Sequence, residues 1–198
     1  MGSEMCIRDS YLLVENRKVE NYVDMALYYA RMDAVYKDYM IAETNLQEVA
    51  QQVLLQNKYY LIQSHVKAEV ACPDTVYSDK KWIAFILNQL IQNSVKYGRS
   101  EGTHIQIVTK KTKSGVLLRV KDDGIGIPKE EIPRIFEKGF TGTNGRNRER
   151  STGMGLYLCR KLCDKLNIEI RAESAEGKGT EIILMFPVSD YLTGYRET

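Results

Sequence analysis

Asn93, Lys96 and Tyr97 fall in the segment Asn93-Ser94-Val95-Lys96-Tyr97, and Gln89 lies one helical turn before Asn93. Spacings of three and four put Gln89, Asn93 and Lys96 on one polar face of a helix, with Leu87, Ile91 and Val95 largely opposite. An amide on an otherwise apolar helix needs a reason, because burying it without partners costs free energy. Solvation of that face is one reason. Chemistry is another. The Asn93 amide oxygen suits Mg²⁺, Lys96 can meet phosphate as a point charge, and Tyr97 can cover a purine ring.

Three further segments follow in order. Asp122-Asp123-Gly124-Ile125-Gly126 succeeds an expected strand, and its two glycines let the backbone turn sharply and approach a ligand. Either Asp122 or Asp123 can accept a hydrogen bond from the exocyclic amine of adenine; spacing alone does not choose. Phe136 and Phe140 read by themselves as core aromatics. From 138 to 152 there is no period, and Lys138, Arg146, Arg148 and Arg150 outnumber Glu149. A glycine- and arginine-rich loop suits a lid over phosphates, its rival being an ordinary solvated loop. Finally, Thr152-Gly153-Met154-Gly155-Leu156 opens a helix at Gly153, where free N–H groups and the dipole can hold phosphate.

The elements that must position these residues are partly legible. Tyr11 to Tyr36 has a helical stripe through Val19, Tyr22, Ala26 and Tyr29, widened by Val23, Leu27 and Ala30, and its breadth calls for a partner helix. Thr44-Asn45-Leu46-Gln47 fits a capping box led by Thr44 for a second helix. Strands are expected near Ser64 to Ala71 and Thr75 to Tyr77. A helix capped by Ser78 or Asp79 then runs to about Tyr97 and stops at Gly98. Strands at His104 to Lys110 and Val116 to Lys121 flank a Ser114-Gly115 turn, and Pro128 and Pro133 punctuate short helical turns. A helix from Gly153 to Leu166 and strands at Ile168 to Ser174 and Thr180 to Phe186 complete the chain. The sum is an α+β fold, a two-layer α/β sandwich on a mixed sheet preceded by a long N-terminal helix.

With 198 residues the chain fits one domain and a modest appendage, and 43% hydrophobic residues suffice for a core. A net charge of +2 does not suggest nucleic acid as a partner. No apolar run approaches about 18 residues, and Met1 to Ser10 has no apolar signal segment. Residues 1–10 are expected to stand outside the fold as an added or disordered leader, and 189–198 as a tail. Cys6, Cys72, Cys159 and Cys163 form no disulfide or zinc framework; Cys159 and Cys163 share a helix face as a buried, reduced pair.

The order and wording of the four segments resemble the ATP-binding domain of bacterial sensor histidine kinases, in the superfamily that includes DNA gyrase, a heat-shock chaperone and the MutL repair proteins. Phe-Thr-Gly-Thr-Asn-Gly-Arg and Ser-Thr-Gly-Met-Gly-Leu-Tyr-Leu look closest to the intramembrane-sensing kinases of Gram-positive bacteria, which respond to bacitracin and other cell-envelope peptides. The resemblance implies the Bergerat ATP-binding fold over 38–188 and the second helix of a dimerisation hairpin over 11–37. It selects Asp122 over Asp123 and makes Phe136, Lys138 and Phe140 part of the lid. It adds Gly124, Gly126, Ile127, Thr152, Met154, Leu156 and Thr180 to the nucleotide contacts. The implied cofactors are ATP and Mg²⁺, with Asn93 the metal ligand.

Two departures bear on activity. Hydrolytic relatives have a glutamate general base where this chain has Gln89, and glutamine cannot take that proton. The only histidines, His65 and His104, lack the acidic or amide neighbour and following proline of a phosphoacceptor, and both read as strand residues. The expected function is therefore transfer of the γ-phosphate of ATP to a histidine of a dimerisation domain outside this chain. The expected partners are that domain, a response regulator receiver domain and a second copy within a full-length homodimer. The expected setting is the cytoplasmic side of a cell-membrane protein, without direct membrane contact. The alternatives are an ATP-sensing module without phosphotransfer, or an anti-sigma-type serine kinase.

Overall fold

A computed structural model describes residues 19, 23, 25–27, 39–143 and 152–188. The rest of the expected N-terminal helix, the lid residues Arg146, Arg148, Glu149 and Arg150, and the tail lie outside the described residues. Val19, Val23, Met25, Ala26 and Leu27 are helical, as the stripe predicts. Val19, Val23 and Leu27 are 60%, 51% and 47% exposed, while Met25 packs against the core.

Strands β1 (Ala42–Asn45), β2 (Val66–Ala71), β3 (Thr75–Ser78), β4 (Thr103–Thr112), β5 (Gly115–Asp122), β6 (Glu169–Ala175) and β7 (Gly179–Pro187) alternate with helices α1 (Leu46–Gln56), α2 (Lys58–Gln63), α3 (Lys80–Lys96) and α4 (Gly155–Lys165). β1 and β3 make a small antiparallel pair. The main sheet runs β2-β4-β5-β7-β6; β2 and β4 are parallel and the other pairs antiparallel. The mixed two-layer sandwich is thus as expected.

Alternation along the strands sends Ile105, Ile107, Leu118, Val120, Ile182, Leu184 and Ile170 into the core. Register carries these residues across the sheet in rows, Ile107 beside Val120 and Val120 beside Ile182. α3 lies centrally, against α1 on one side and α4 on the other. That position explains its burial nearly all round, from Trp82 and Ile83 through Leu87 to Ile91. Asp79 caps it, accepting from the N–H groups of Lys81 at 2.9 Å and Trp82 at 3.3 Å.

Four expectations need correction. Thr44 does not cap α1: it belongs to β1, and its hydroxyl donates to the carbonyls of Ala42 and Ser78. Asn45 caps instead, accepting from Glu48 N–H at 3.1 Å, and Gln47 turns outward to accept from Cys72 N–H at 2.7 Å. His65 is not a strand residue; at φ +53 it makes the turn between α2 and β2, so the strand expected near Ser64 to Ala71 begins at Val66. Gly153 does not open the last helix. Its φ is +65, and α4 begins two residues later, at Gly155.

Candidate functional site

α3 contributes the first wall of a cleft. Leu90, Asn93, Ser94 and Tyr97 recur at helical spacing and line it together. The cleft-facing stripe is therefore rotated from the polar stripe read in the sequence, and Asn93 is the residue common to both. The cleft opens to solvent, and most of its lining is apolar.

Asp122 ends β5 at the base of this space. Its Oδ1 accepts from Gly124 N–H at 3.0 Å and Thr180 N–H at 3.1 Å, and its Oδ2 accepts from the Ser94 hydroxyl at 2.8 Å. Burial pushes the carboxyl above the usual aspartate range, and those three donors oppose the rise. Asp123 is exposed and occupied elsewhere, accepting from His104 N–H at 2.8 Å. Of the two carboxylates left open by spacing, only Asp122 lines the cleft.

The turn after Asp122 is fixed from three sides. Ile125 N–H donates to the Tyr97 carbonyl at 3.0 Å, tying the turn to the end of α3. Gly177 N–H donates to the Ile125 carbonyl at 2.7 Å, tying it to the hairpin between β6 and β7. Ile127 N–H donates to Ser174 Oγ at 2.9 Å, and that hydroxyl lies 3.0 Å from Thr180 Oγ1. Gly126, at φ +71, passes so close to the Ala175 carbonyl that a Cβ would collide with it. Gly126, Ile127 and Thr180 line the cleft, whereas Gly124 packs behind it, against Tyr97.

The far wall comes from the loop around Phe140 and from α4. Phe140 lines the cleft, with the Arg134 guanidinium 4.6 Å from its ring, and Leu156 lines it from the first turn of α4. Phe136 does not line it; this ring is half-buried against the core beneath Arg160. Gly139 N–H donates to the Gly153 carbonyl at 3.1 Å, tying the stretch before Phe140 to the approach to α4. Lys138 and Thr152 are exposed beside this contact, and Thr152 Oγ1 accepts from Met154 N–H at 3.3 Å.

Gln89 and Lys96 lie outside the lining. Lys96 sits with its ammonium 6.0 Å from the Tyr97 ring centre. Gln89 is 5% exposed, and its Oε1 lies 2.8 Å from where a Cβ on Gly155 would stand. Its Nε2 is buried without a hydrogen-bond partner among the described residues.

Sequence reasoning missed Ser94, Glu131 and the apolar floor of Val120, Ile135 and Ile182. Ser94 could have been found from the i, i+4, i+7 stripe through Leu90 and Tyr97. Glu131 belongs to a turn with no such period; its Oε1 accepts from Thr143 N–H at 2.9 Å and Thr143 Oγ1 at 2.6 Å.

Residues 78–190 match the family described as histidine kinase-, DNA gyrase B- and HSP90-like ATPase. The chain is 34% identical over 174 residues to the sensor histidine kinase YxdK of Bacillus subtilis, covering 87% of this chain and 54% of YxdK. It is 36% identical over 188 residues to the sensor protein kinase GraS of Staphylococcus aureus, covering 92% and 53%. The chain thus spans about half the length of these curated relatives. Among solved structures, the catalytic domain of histidine kinase ThkA superposes with a TM-score of 0.64 at 26% identity, over 75% of this chain and 97% of that one. Full-length ShkA in complex with AMPPNP shares the fold, with a TM-score of 0.71 at 21% identity, over 90% of this chain and 36% of that one. The chain belongs to the histidine kinase-, DNA gyrase B- and HSP90-like ATPase family, as a nucleotide-binding domain of the sensor histidine kinase kind.

Proposed function

We propose that this domain binds ATP with Mg²⁺ in the cleft and serves as phosphoryl donor to a histidine on a dimerisation domain, for later relay to a response regulator. The observation that carries the reading is Asp122: a half-buried carboxylate held by Ser94, Gly124 and Thr180 on an apolar floor. In that setting it accepts the adenine amine, and Tyr97 and Ile127 flank the ring.

Asn93 and the start of α4 lie farther along the same cleft, where the phosphates would be received. Among the described residues no group of three or more His, Cys, Asp and Glu side chains could hold a metal. In this reading Mg²⁺ comes in on the phosphate oxygens of ATP, with Asn93 as its protein ligand and water filling the other positions. When bound, Mg·ATP supplies the transferable phosphoryl group; the protein supplies position and charge. Lys96 meets phosphate as a point charge. Gln89 supports the first turn of α4 and, as a neutral amide, cannot take a proton from water, so hydrolysis is slow.

His65 and His104 both lie away from the cleft, in a turn and in a Glu69 pair at 3.3 Å, so the acceptor is supplied separately. The similarity to whole sensor kinases supports a homodimer attached to a cell membrane, joined through a helix carrying Val19, Val23 and Leu27. The test is γ-labelled ATP with Mg²⁺ and a separately supplied hairpin bearing an acceptor histidine. Acid-labile label on the hairpin, lost in Asn93→Ala, is expected. Nucleotide binding with no label on either component would favour a sensing module instead.

A further inference from the structure

Arg99 lies just beyond α3 and outside every segment that reads as nucleotide-binding. Its backbone is fixed on both sides. Arg99 N–H donates to Thr103 Oγ1 at 2.8 Å, and its carbonyl accepts from Gly102 N–H at 3.2 Å. Thr103 is 4% exposed, and its hydroxyl sits where a Cβ on Gly98 would fall, so Gly98 is what lets the chain pass. From this fixed base the guanidinium reaches across the surface, and Nη2 donates to the Gly177 carbonyl at 2.5 Å.

Gly177 is the tip of the β6–β7 hairpin, at φ +75. The same residue's N–H holds the Ile125 carbonyl, and Ile125 N–H holds the Tyr97 carbonyl. Arg99, Gly177, Ile125 and Tyr97 therefore close a ring of contacts around the turn that follows Asp122. Two residues beyond the tip, Gly179 packs against the Asp122 carbonyl, and Thr180 N–H donates to the Asp122 carboxylate at 3.1 Å. If the tip lifts, Thr180 moves and Asp122 loses a donor.

We propose that Arg99 is a positioning residue: it clamps the β6–β7 hairpin tip onto the turn after Asp122 and so sets the geometry of the adenine end of the cleft. The role rests on the proposed ATP reading, but the clamp itself can be tested without nucleotide. Arg99 is exposed, so losing its side chain leaves the core intact.

The experiment compares wild type, Arg99→Ala and Arg99→Lys by amide hydrogen exchange without nucleotide and by Mg·ATP titration. Arg99→Ala is expected to speed exchange at the Gly177 and Thr180 amides and to weaken ATP roughly threefold to tenfold, the range one charge-assisted hydrogen bond allows. Unchanged exchange at both amides would overturn the clamp. Full recovery of affinity in Arg99→Lys with Gly177 still exchanging fast would assign the effect to charge alone and also overturn it. Failure of wild type to bind ATP would overturn the nucleotide reading, while the exchange arm would still decide the clamp.

Discussion

Burial raises the Asp122 carboxyl above its ordinary value, and the bonds from Ser94, Gly124 and Thr180 do not fully offset the rise. An acid whose folded pKa exceeds its unfolded value adds stability at low pH and loses it as pH climbs through the folded value. At neutral pH, then, the ionised Asp122 weakens the fold while preparing an acceptor for a ligand. Asp122→Asn should melt near pH 7 no lower than wild type, and the gap should narrow toward pH 4; a clearly lower melting temperature at pH 7 would contradict this. The cysteines behave oppositely, as inert core residues. Burial pushes Cys72 up to about 11 and Cys163 up to about 12, and Cys159 rises as well. Mass spectrometry after alkylation at pH 8 should find these three unmodified in the folded protein and all modified in denaturant. At this scale the sequence showed residue types well and facing poorly. Ser94 stood beside Asn93 in plain view, but only a packed α3 turns its hydroxyl toward Asp122.

At the scale of elements, local signals competed and distant pairing decided. Thr44 is the cap read from the sequence and Asn45 the cap that the structure makes, one residue apart. The second holds because β1 pairs with β3, and that pairing draws Thr44 into the strand, where its hydroxyl reaches the Ser78 carbonyl. Of Ser78 and Asp79, both open as caps in the sequence, Asp79 takes the role while Ser78 stays in β3. The glycine turns were legible as turns, but not the atoms they avoid. Gly126 shows the difference: its positive φ and the adjacent Ala175 carbonyl leave no room for a side chain. Gly126→Ala should lower unfolding stability in urea by about 1–3 kcal/mol, through strain and displacement of the hairpin. A loss near zero would mean that the turn yields easily, and that the close packing around Asp122 matters little.

For the whole molecule, the sheet order β2-β4-β5-β7-β6 joins segments far apart in sequence, and no local pattern encodes it. Periodicity supplied the layers; the strand order comes from the structure. The cleft exists only because α3, the end of β5, the β6–β7 hairpin and α4 converge, so a short motif taken alone says little about it. Selectivity for adenine is where this convergence becomes measurable. Guanine presents a carbonyl where adenine presents an amine, and a carboxylate facing it would be repelled. The direct measurement is calorimetric titration of ATP and GTP, each with Mg²⁺, into wild type and Asp122→Asn. The expected result is ATP preferred over GTP by at least about a hundredfold in wild type, with the preference largely lost in the variant. Equal affinity for the two nucleotides in wild type, or an undiminished preference in Asp122→Asn, would contradict the assignment of this cleft as an adenine site built on Asp122.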